Sequence, residues 1–356
     1  MKLQTLFILF ILVIFSCKED NKPDIVYDPT PVELKIPEVF KERILAPVIP
    51  KDNPLTKEGI ALGKKLFYDP ILSKNHSLAC ASCHRQGSGF TNNQRFAKGV
   101  EQKEVKRNTM PLVNVAWNYY EKYAWDGHAN SIEIVAEHTI TDPLEMNNTW
   151  ENAIEDLEND EEYPTLFTKA FGTDKITKEL ASKAIAQFIR TISSANSKFD
   201  KYLRGEAELT FDERMGYFIF EAEEKGDCFH CHGSIDNPLW TDNRYHNNGM
   251  DSVFEDLGLE NVTGLKSDRG RFRTPSLRNL KFTAPYMHDG RYATLDEVID
   301  HYSEGLVFSP SIDPLMKSAY KGGVHLTAKE KKQLKAFLLS LSDDELVNNP
   351  EYEPGK

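Results

Sequence analysis

The motif Cys-X-X-Cys-His occurs twice in this chain of 356 residues, at 80–84 and at 228–232. Two thiols at this spacing can add to the vinyl groups of a haem, and the imidazole that follows can reach the iron. A zinc site leaves both adjacent histidines unexplained, and a redox dithiol would need only one motif. The sequence therefore predicts two covalently attached c-type haems. The residues that would hold them are Cys80, Cys83 and His84 in the first site, and Cys228, Cys231 and His232 in the second.

The helical segments around the two motifs recur in the same order along the chain. The run Leu-Gly-Lys-Lys-Leu-Phe at 62–67 precedes the first motif, and Met-Gly-Tyr-Phe-Ile-Phe at 215–220 precedes the second. An amphipathic helix closes each half of the chain. Alternating strand patterns are scarce, and long polar stretches interrupt the helices at 85–108 and 233–270. We therefore expect a mostly α fold, with two cytochrome-c-like haem domains in tandem and long loops.

The N-terminus has the features of an export signal. Lys2 precedes an apolar run at 6–15 that is too short to span a bilayer and is typical of a signal peptide. Cys17 follows this run directly and resembles the lipidated cysteine of bacterial lipoproteins. We therefore predict a protein on the periplasmic or cell-surface side, anchored to the membrane only through a lipid on Cys17.

These features divide the chain into five predicted segments. They are a lipoprotein signal peptide (1–16), a proline-rich tether (17–37), an N-terminal haem domain (38–205), a C-terminal haem domain (206–345) and a tail (346–356).

The charge balance bears on the choice of partner. The chain has 43 Lys and Arg residues against 55 Asp and Glu residues, for a formal net charge of −12. This acidic excess argues against a nucleic-acid-binding protein, which needs a basic face. It favours association with a basic partner protein.

Six further motifs stand in a fixed order along the chain. They are Leu62–Pro70, Arg107–Asn108, Trp125–Gly127, Pro143–Met146, Arg273–Asn279 and Thr283–Gly290. Together with the two haem motifs, they resemble those of the bacterial di-haem cytochrome c peroxidases and their MauG-type relatives. The resemblance covers nearly all of residues 40–345.

The resemblance implies a role for each haem and for several side chains. The haem on His84 would be the peroxidatic centre, and the haem on His232 would receive electrons from a partner. Trp125 matches a tryptophan between the two haems, and Glu145 matches a distal glutamate that exchanges protons with peroxide. The resemblance also implies a calcium ion between the domains. Its matching ligands are Asn108, Thr283 and Pro285.

The chain departs from the classical peroxidase pattern at two places. Classical members carry a histidine that blocks the peroxidatic iron, whereas the corresponding stretch here, 98–102, has none. They also place a methionine on the second iron where this chain has Tyr302, as MauG-type enzymes do. Tyr302 is the expected sixth ligand, and Met287 is the alternative, because methionine is a common axial ligand in c-type cytochromes.

Three functions remain open from the sequence. The first is a cytochrome-c-peroxidase-type oxidoreductase that reduces hydrogen peroxide to water with electrons from a small cytochrome c or copper protein. The second is a MauG-like oxidant of a partner protein, and the third is a non-catalytic di-haem electron-transfer cytochrome. Pairing of two copies as a homodimer also stays open.

Overall fold

The computed structural model describes residues 27–355. The predicted signal peptide, Cys17 and the first part of the tether lie outside this range, so the lipid anchor stays a prediction. In residues 27–355, no helix has both the length and the apolar character that crossing a membrane requires.

The fold of the described residues is mostly helical, as the sequence predicts, and long loops connect the helices. Its one small sheet pairs β1 (Tyr245–His246) with β2 (Phe272–Arg273) in antiparallel fashion. The α-helices are α1 Lys57–Tyr68, α2 Cys80–Cys83, α3 Ile132–Thr141, α4 Trp150–Asn159, α5 Tyr163–Phe171, α6 Lys178–Thr191, α7 Lys198–Leu203, α8 Phe211–Glu221, α9 Phe229–His232, α10 Glu260–Thr263, α11 Leu295–Glu304 and α12 Ala328–Ser340.

Threonine caps define where the four principal helices begin. The side-chain oxygens of Thr56, Thr177, Thr210 and Thr327 accept backbone N–H groups at the starts of α1, α6, α8 and α12. Such a cap satisfies a donor that has no partner within the helix, and contributes about 1 kcal/mol. Glutamates complete a capping box at the starts of α8 and α12.

The repeat in the sequence corresponds to two equivalent helix pairs. In the first half α1 packs on α6, and in the second half α8 packs on α12. Each crossing is close because a glycine lies at the contact. A Cβ on Gly63 would lie 1.8 Å from the carbonyl oxygen of Ala184, and a Cβ on Gly216 would lie 2.0 Å from that of Gln333. The two glycines therefore occupy matching positions in both the sequence repeat and the fold.

We expect Gly216→Ala to destabilise the protein by about 1–3 kcal/mol, because the added methyl group has no room against α12. Helix propensity alone predicts the opposite sign, a gain of about 1 kcal/mol. Denaturant unfolding of the haem-loaded protein measures the difference. Gly87→Ala is the matched control, because a Cβ at Gly87 meets nothing within 4 Å. Equal unfolding midpoints for both variants would contradict the close crossing.

Residues near two of the predicted boundaries pack in the apolar core of the other half. Leu346 and Tyr352, from the predicted tail, belong to the apolar core of the first half. The hydroxyl of Tyr352 donates to the carbonyl oxygen of Thr191 at 3.0 Å. In the other direction, Phe199 of α7 packs in the core of the second half. The predicted boundaries at 205/206 and 345/346 remain a sequence-based division, because side chains from one side of each boundary pack in a core on the other side.

Candidate haem and peroxide sites

The first Cys-X-X-Cys-His motif forms a one-turn helix, α2, with His84 as its C-terminal cap. The Nδ1 atom of His84 lies 3.0 Å from the carbonyl oxygen of Phe90. Because this contact uses Nδ1 as the donor, Nε2 is the nitrogen left free to bind iron. Burial lowers the pKa of His84, which keeps the imidazole neutral, the form that ligates a metal.

Glu145 lies on the loop after α3, near the first cysteine pair. Burial raises the pKa of Cys80 to about 12 and that of Cys83 to about 11, and the negative charge of Glu145 adds to both shifts. Burial, together with the nearby charge of Asp142, raises the pKa of Glu145 itself to about 7. A carboxyl group with this pKa can both accept and release a proton near neutral pH.

The stretch 98–102 packs directly against Glu145. The backbone N–H of Val100 donates to the carbonyl oxygen of Glu145 at 2.8 Å, and the Val100 side chain is buried. The segment in which classical peroxidases carry the blocking histidine therefore contacts the backbone of the candidate acid–base residue. Here it presents a side chain that cannot bind iron.

His128 is a residue near Glu145 that the sequence analysis missed. Its Nδ1 lies 2.7 Å from Oδ1 of Asp126, and its ring stacks on that of His138 with centroids 5.4 Å apart. The hydrogen bond to Asp126 raises the pKa of His128, and the charge of Glu145 adds to this shift. His128 directly follows the Trp125–Gly127 motif, and this adjacency is the sequence signal that could have identified it as a site residue.

The second motif lines a large cavity. Cys228, Cys231 and His232 line it, and the empty space amounts to about 1690 Å³ including the part open to solvent. Burial lowers the pKa of His232 to about 4, so the imidazole is neutral. Its Nδ1 is buried and has no hydrogen-bond partner among the described residues.

Both candidates for the sixth ligand, Tyr302 and Met287, line this same cavity. The side-chain amide of Asn248 joins them, because its Nδ2 lies 3.1 Å from the hydroxyl oxygen of Tyr302 and 3.7 Å from the sulfur of Met287. Burial raises the pKa of Tyr302. The structure brings the two candidates together without choosing between them, so Tyr302 remains a prediction. Asn248 carries no sequence signal, because its partners lie far along the chain.

Trp125 and the three predicted calcium ligands lie along the wall of this cavity. Nε1 of Trp125 donates to the carbonyl oxygen of Asn108 at 2.7 Å. Nδ2 of Asn108 donates to the carbonyl oxygens of Gln94 and Arg95. Asn108, Thr283 and Pro285 therefore line one cavity, and their role as calcium ligands stays a prediction.

Two helical halves, each with a half-buried Cys-X-X-Cys-His motif and a neutral histidine, define a di-haem c-type cytochrome. Comparison with known proteins places the chain more narrowly. A family model described as "Di-haem cytochrome c peroxidase" matches residues 57–208. The methylamine utilization protein MauG of Methylorubrum extorquens is 36% identical over 82% of this chain and 80% of its own length. The cytochrome c551 peroxidase of Nitrosomonas europaea is 35% identical over 67% of this chain and 71% of its own length.

The solved structures agree with this assignment. A MauG-like protein associated with microbial copper homeostasis superposes with a TM-score of 0.78 at 34% identity, over 88% of this chain and 97% of that one. The di-haem peroxidase BthA of Burkholderia thailandensis shares the fold, with a TM-score of 0.72 at 21% identity. The chain belongs to the di-haem cytochrome c peroxidase and MauG family. Membership implies covalently bound haem c, and the neutral histidines and the cavity beside the second motif fit such a group.

Proposed function

We propose that this protein reduces hydrogen peroxide to water with electrons from a small redox protein. The observation that carries the proposal is the position of Glu145, whose pKa of about 7 and proximity to the first cysteine pair suit proton exchange with bound peroxide. Family membership supports peroxide as the substrate and a redox protein as the partner.

The reaction takes two electrons and two protons for each peroxide and yields two water molecules. Haem iron supplies the redox chemistry when it is bound. Glu145 removes the proton from one peroxide oxygen and returns it to the other, so that the O–O bond breaks and the departing oxygen leaves as water. The two electrons and two further protons then reduce the remaining oxygen to the second water. The backbone of Glu145 is held by the hydrogen bond from the N–H of Val100, whose side chain is buried.

Electrons would enter at the second haem site and pass inward by way of Trp125. Trp125 lines the same cavity as His232, and its indole is fixed by the hydrogen bond to Asn108. A buried aromatic ring held in this way is a suitable intermediate station for electrons. Lys317, which lines the cavity, is paired with Glu223, while Phe308 and Tyr320 nearby in the sequence are 62% and 74% exposed. With a net charge of −12, such a surface suits a basic cytochrome c or copper protein.

The deciding experiment mixes the haem-loaded protein with a reduced small cytochrome c and hydrogen peroxide. We expect peroxide-dependent oxidation of two cytochrome molecules for each peroxide. Omission of peroxide is the control for autoxidation. A protein that exchanges electrons with the cytochrome but does not consume peroxide would instead be the non-catalytic electron-transfer cytochrome.

A MauG-like oxidant of a client protein is the second candidate. The observation that favours it is the position of Tyr302. This residue lines the cavity beside the second haem motif, and its hydroxyl oxygen accepts a hydrogen bond from Asn248. This candidate predicts that peroxide is consumed at the expense of residues in another protein. Omitting the small cytochrome and analysing a candidate client by mass spectrometry separates it from the first candidate.

We expect the fully oxidised protein to react with peroxide without prior reduction, because Val100 cannot bind iron and no histidine occupies 98–102. The resting spectrum should show one five-coordinate, high-spin haem. Stopped-flow mixing of the oxidised protein with peroxide gives the rate. Two low-spin haems at rest would show that another side chain blocks the first haem. The variant His128→Ala would then identify or exclude His128 as that side chain.

The sixth ligand is tested by a pair of variants. We expect Tyr302→Phe to change the absorption spectrum of the second haem and Met287→Leu to leave it unchanged. Since methionine raises the potential of haem iron, a tyrosine ligand also implies a low potential for the wild-type site. A spectral change confined to the methionine variant would reverse the assignment and favour an ordinary high-potential peroxidase.

Calcium binding and membrane anchoring are part of the same proposal. Asn108, Thr283 and Pro285 would hold calcium through side-chain and backbone oxygens, which are the ligands this ion prefers. Titration calorimetry after chelation tests the site.

The lipid on Cys17 would keep the protein on the periplasmic or cell-surface side, which fractionation of cells expressing wild type and Cys17→Ser examines.

A further inference from the structure

Arg273 is a half-buried cation without an acidic partner. Its Nε is fully buried and makes no hydrogen bond, and its guanidinium donates to the side-chain oxygen of Asn243. No carboxylate of residues 27–355 lies within salt-bridge distance of it, and Asp242 is the one carboxylate whose charge acts on its pKa. Burial lowers the pKa of Arg273, which is the physical signature of an uncompensated charge.

The other interior arginines of this chain are all paired. Arg278 donates to both carboxylate oxygens of Asp200 at 2.7 and 2.8 Å, with both side chains fully buried. Arg190 makes the same two-pronged contact with Glu133 at 2.7 and 3.0 Å. A charge held away from water without a partner is unfavourable. Arg273 is therefore expected to meet an anion that the polypeptide does not supply.

The position of Arg273 indicates where that anion lies. Arg273 lines the cavity that holds Cys228, Cys231 and His232, and it also lines a smaller neighbouring cavity together with Asn243. Its backbone is fixed on both sides, since its N–H donates to the carbonyl oxygen of Trp125 at 2.9 Å and it pairs with Tyr245 in the β1–β2 ladder. The titratable groups that act on the guanidinium are Tyr245, Tyr123 and Asp242, and both tyrosines are neutral at pH 7.

We propose that the guanidinium of Arg273 binds a propionate carboxylate of the haem attached to Cys228 and Cys231. A haem carries two propionates, and the planar guanidinium matches a carboxylate with two parallel hydrogen bonds. The pairing supplies the missing negative charge to Arg273 and a fixed positive charge to the haem. This inference rests on haem attachment at the second motif and does not depend on peroxide chemistry.

The test is a redox titration of Arg273→Gln in the absence of peroxide, with the two haems followed by their separate spectra. Loss of the positive charge favours the ferric form, so we expect the ferric–ferrous equilibrium of the second haem to shift by roughly tenfold or more. That shift corresponds to a potential lower by at least about 59 mV for one electron. The first haem should keep its potential, and Arg273→Lys, which keeps the charge, should shift the second haem less than Arg273→Gln.

Arg271→Gln is the matched control. Arg271 lies two residues away on the same segment and also has a buried Nε without a hydrogen bond, but it pairs with Asp268 at 3.5 Å and is not part of the cavity wall. Equal shifts in both glutamine variants, or a shift confined to the first haem, would overturn the assignment. If Arg273→Gln does not fold, a crystal structure of the haem-loaded wild type decides the question. A propionate oxygen about 2.7–3.2 Å from the guanidinium supports the pairing, and a larger separation rejects it.

Discussion

Replacing Glu145 by glutamine will slow peroxide turnover by roughly a hundredfold to ten-thousandfold, the usual contribution of a positioned proton donor and acceptor. Glutamine preserves the shape of the side chain but cannot exchange a proton with peroxide. Steady-state oxidation of a reduced cytochrome measures the loss. Peroxide binding, followed separately by the spectrum of the first haem, should persist.

The pH dependence of the reaction with peroxide is a second test of the role of Glu145. Because burial raises the pKa of Glu145 to about 7, the carboxyl is mostly protonated below this pH and mostly ionised above it. A base must be ionised to accept a proton, so the wild-type reaction with peroxide should accelerate as the pH rises through about 7. Glu145→Gln should lack this limb of the profile.

Glu101→Gln is the control for the loss of a negative charge from this region. Glu101 is exposed, lies within the neighbouring 98–102 stretch and pairs with Lys74 and Lys103. We expect this variant to turn over within a factor of about two of wild type. If Glu145→Gln did the same, Glu145 would not be the acid–base residue.

Replacement of His84 or His232 by alanine is expected to remove one proximal ligand and leave the other haem intact. Both variants should retain two covalent haems, because the thioether bonds involve only the cysteines. His84→Ala should lose the reaction with peroxide. His232→Ala should still react with the first peroxide but fail to accept electrons from the cytochrome.

The mass of the denatured protein and the spectra of the two haems provide the measurement. Wild type should exceed the mass of the bare chain by two haems, and no haem should extract into acidified organic solvent. A gain of a single haem, or extraction of both, would refute the assignment of two c-type sites. Cys228→Ser combined with Cys231→Ser is the matching variant, and it should reduce the count to one.

Much of this protein could be predicted from short stretches of sequence. The Cys-X-X-Cys-His motif is self-contained, since both thiols and the imidazole lie within about one helical turn, so its chemistry can be recognised without a fold. The runs at 62–67 and 215–220, each with a glycine at its second position, are equally local signals, and their repeat before each haem motif predicted two equivalent helical halves. The order of the motifs then indicated the family, which the comparisons confirm.

The surroundings of the two haem sites were decided by tertiary structure alone. Asn248 meets Tyr302 and Met287 across long stretches of chain, and the tail residue Tyr352 completes the core of the first half. Neither contact leaves a pattern in the sequence. Such contacts depend on loops whose paths are fixed by packing and by hydrogen bonds between distant segments.

Arg273 shows the physical reason most plainly. In the sequence, Arg273 and Arg278 are two arginines of the same motif, and nothing distinguishes them. Only the fold gives Arg278 a buried carboxylate partner and leaves Arg273 without one, on the wall of a cavity. Covalent attachment chemistry is encoded by neighbours in the chain and so could be predicted from sequence. Burial and charge compensation belong to neighbours in space, and only the tertiary structure decides them.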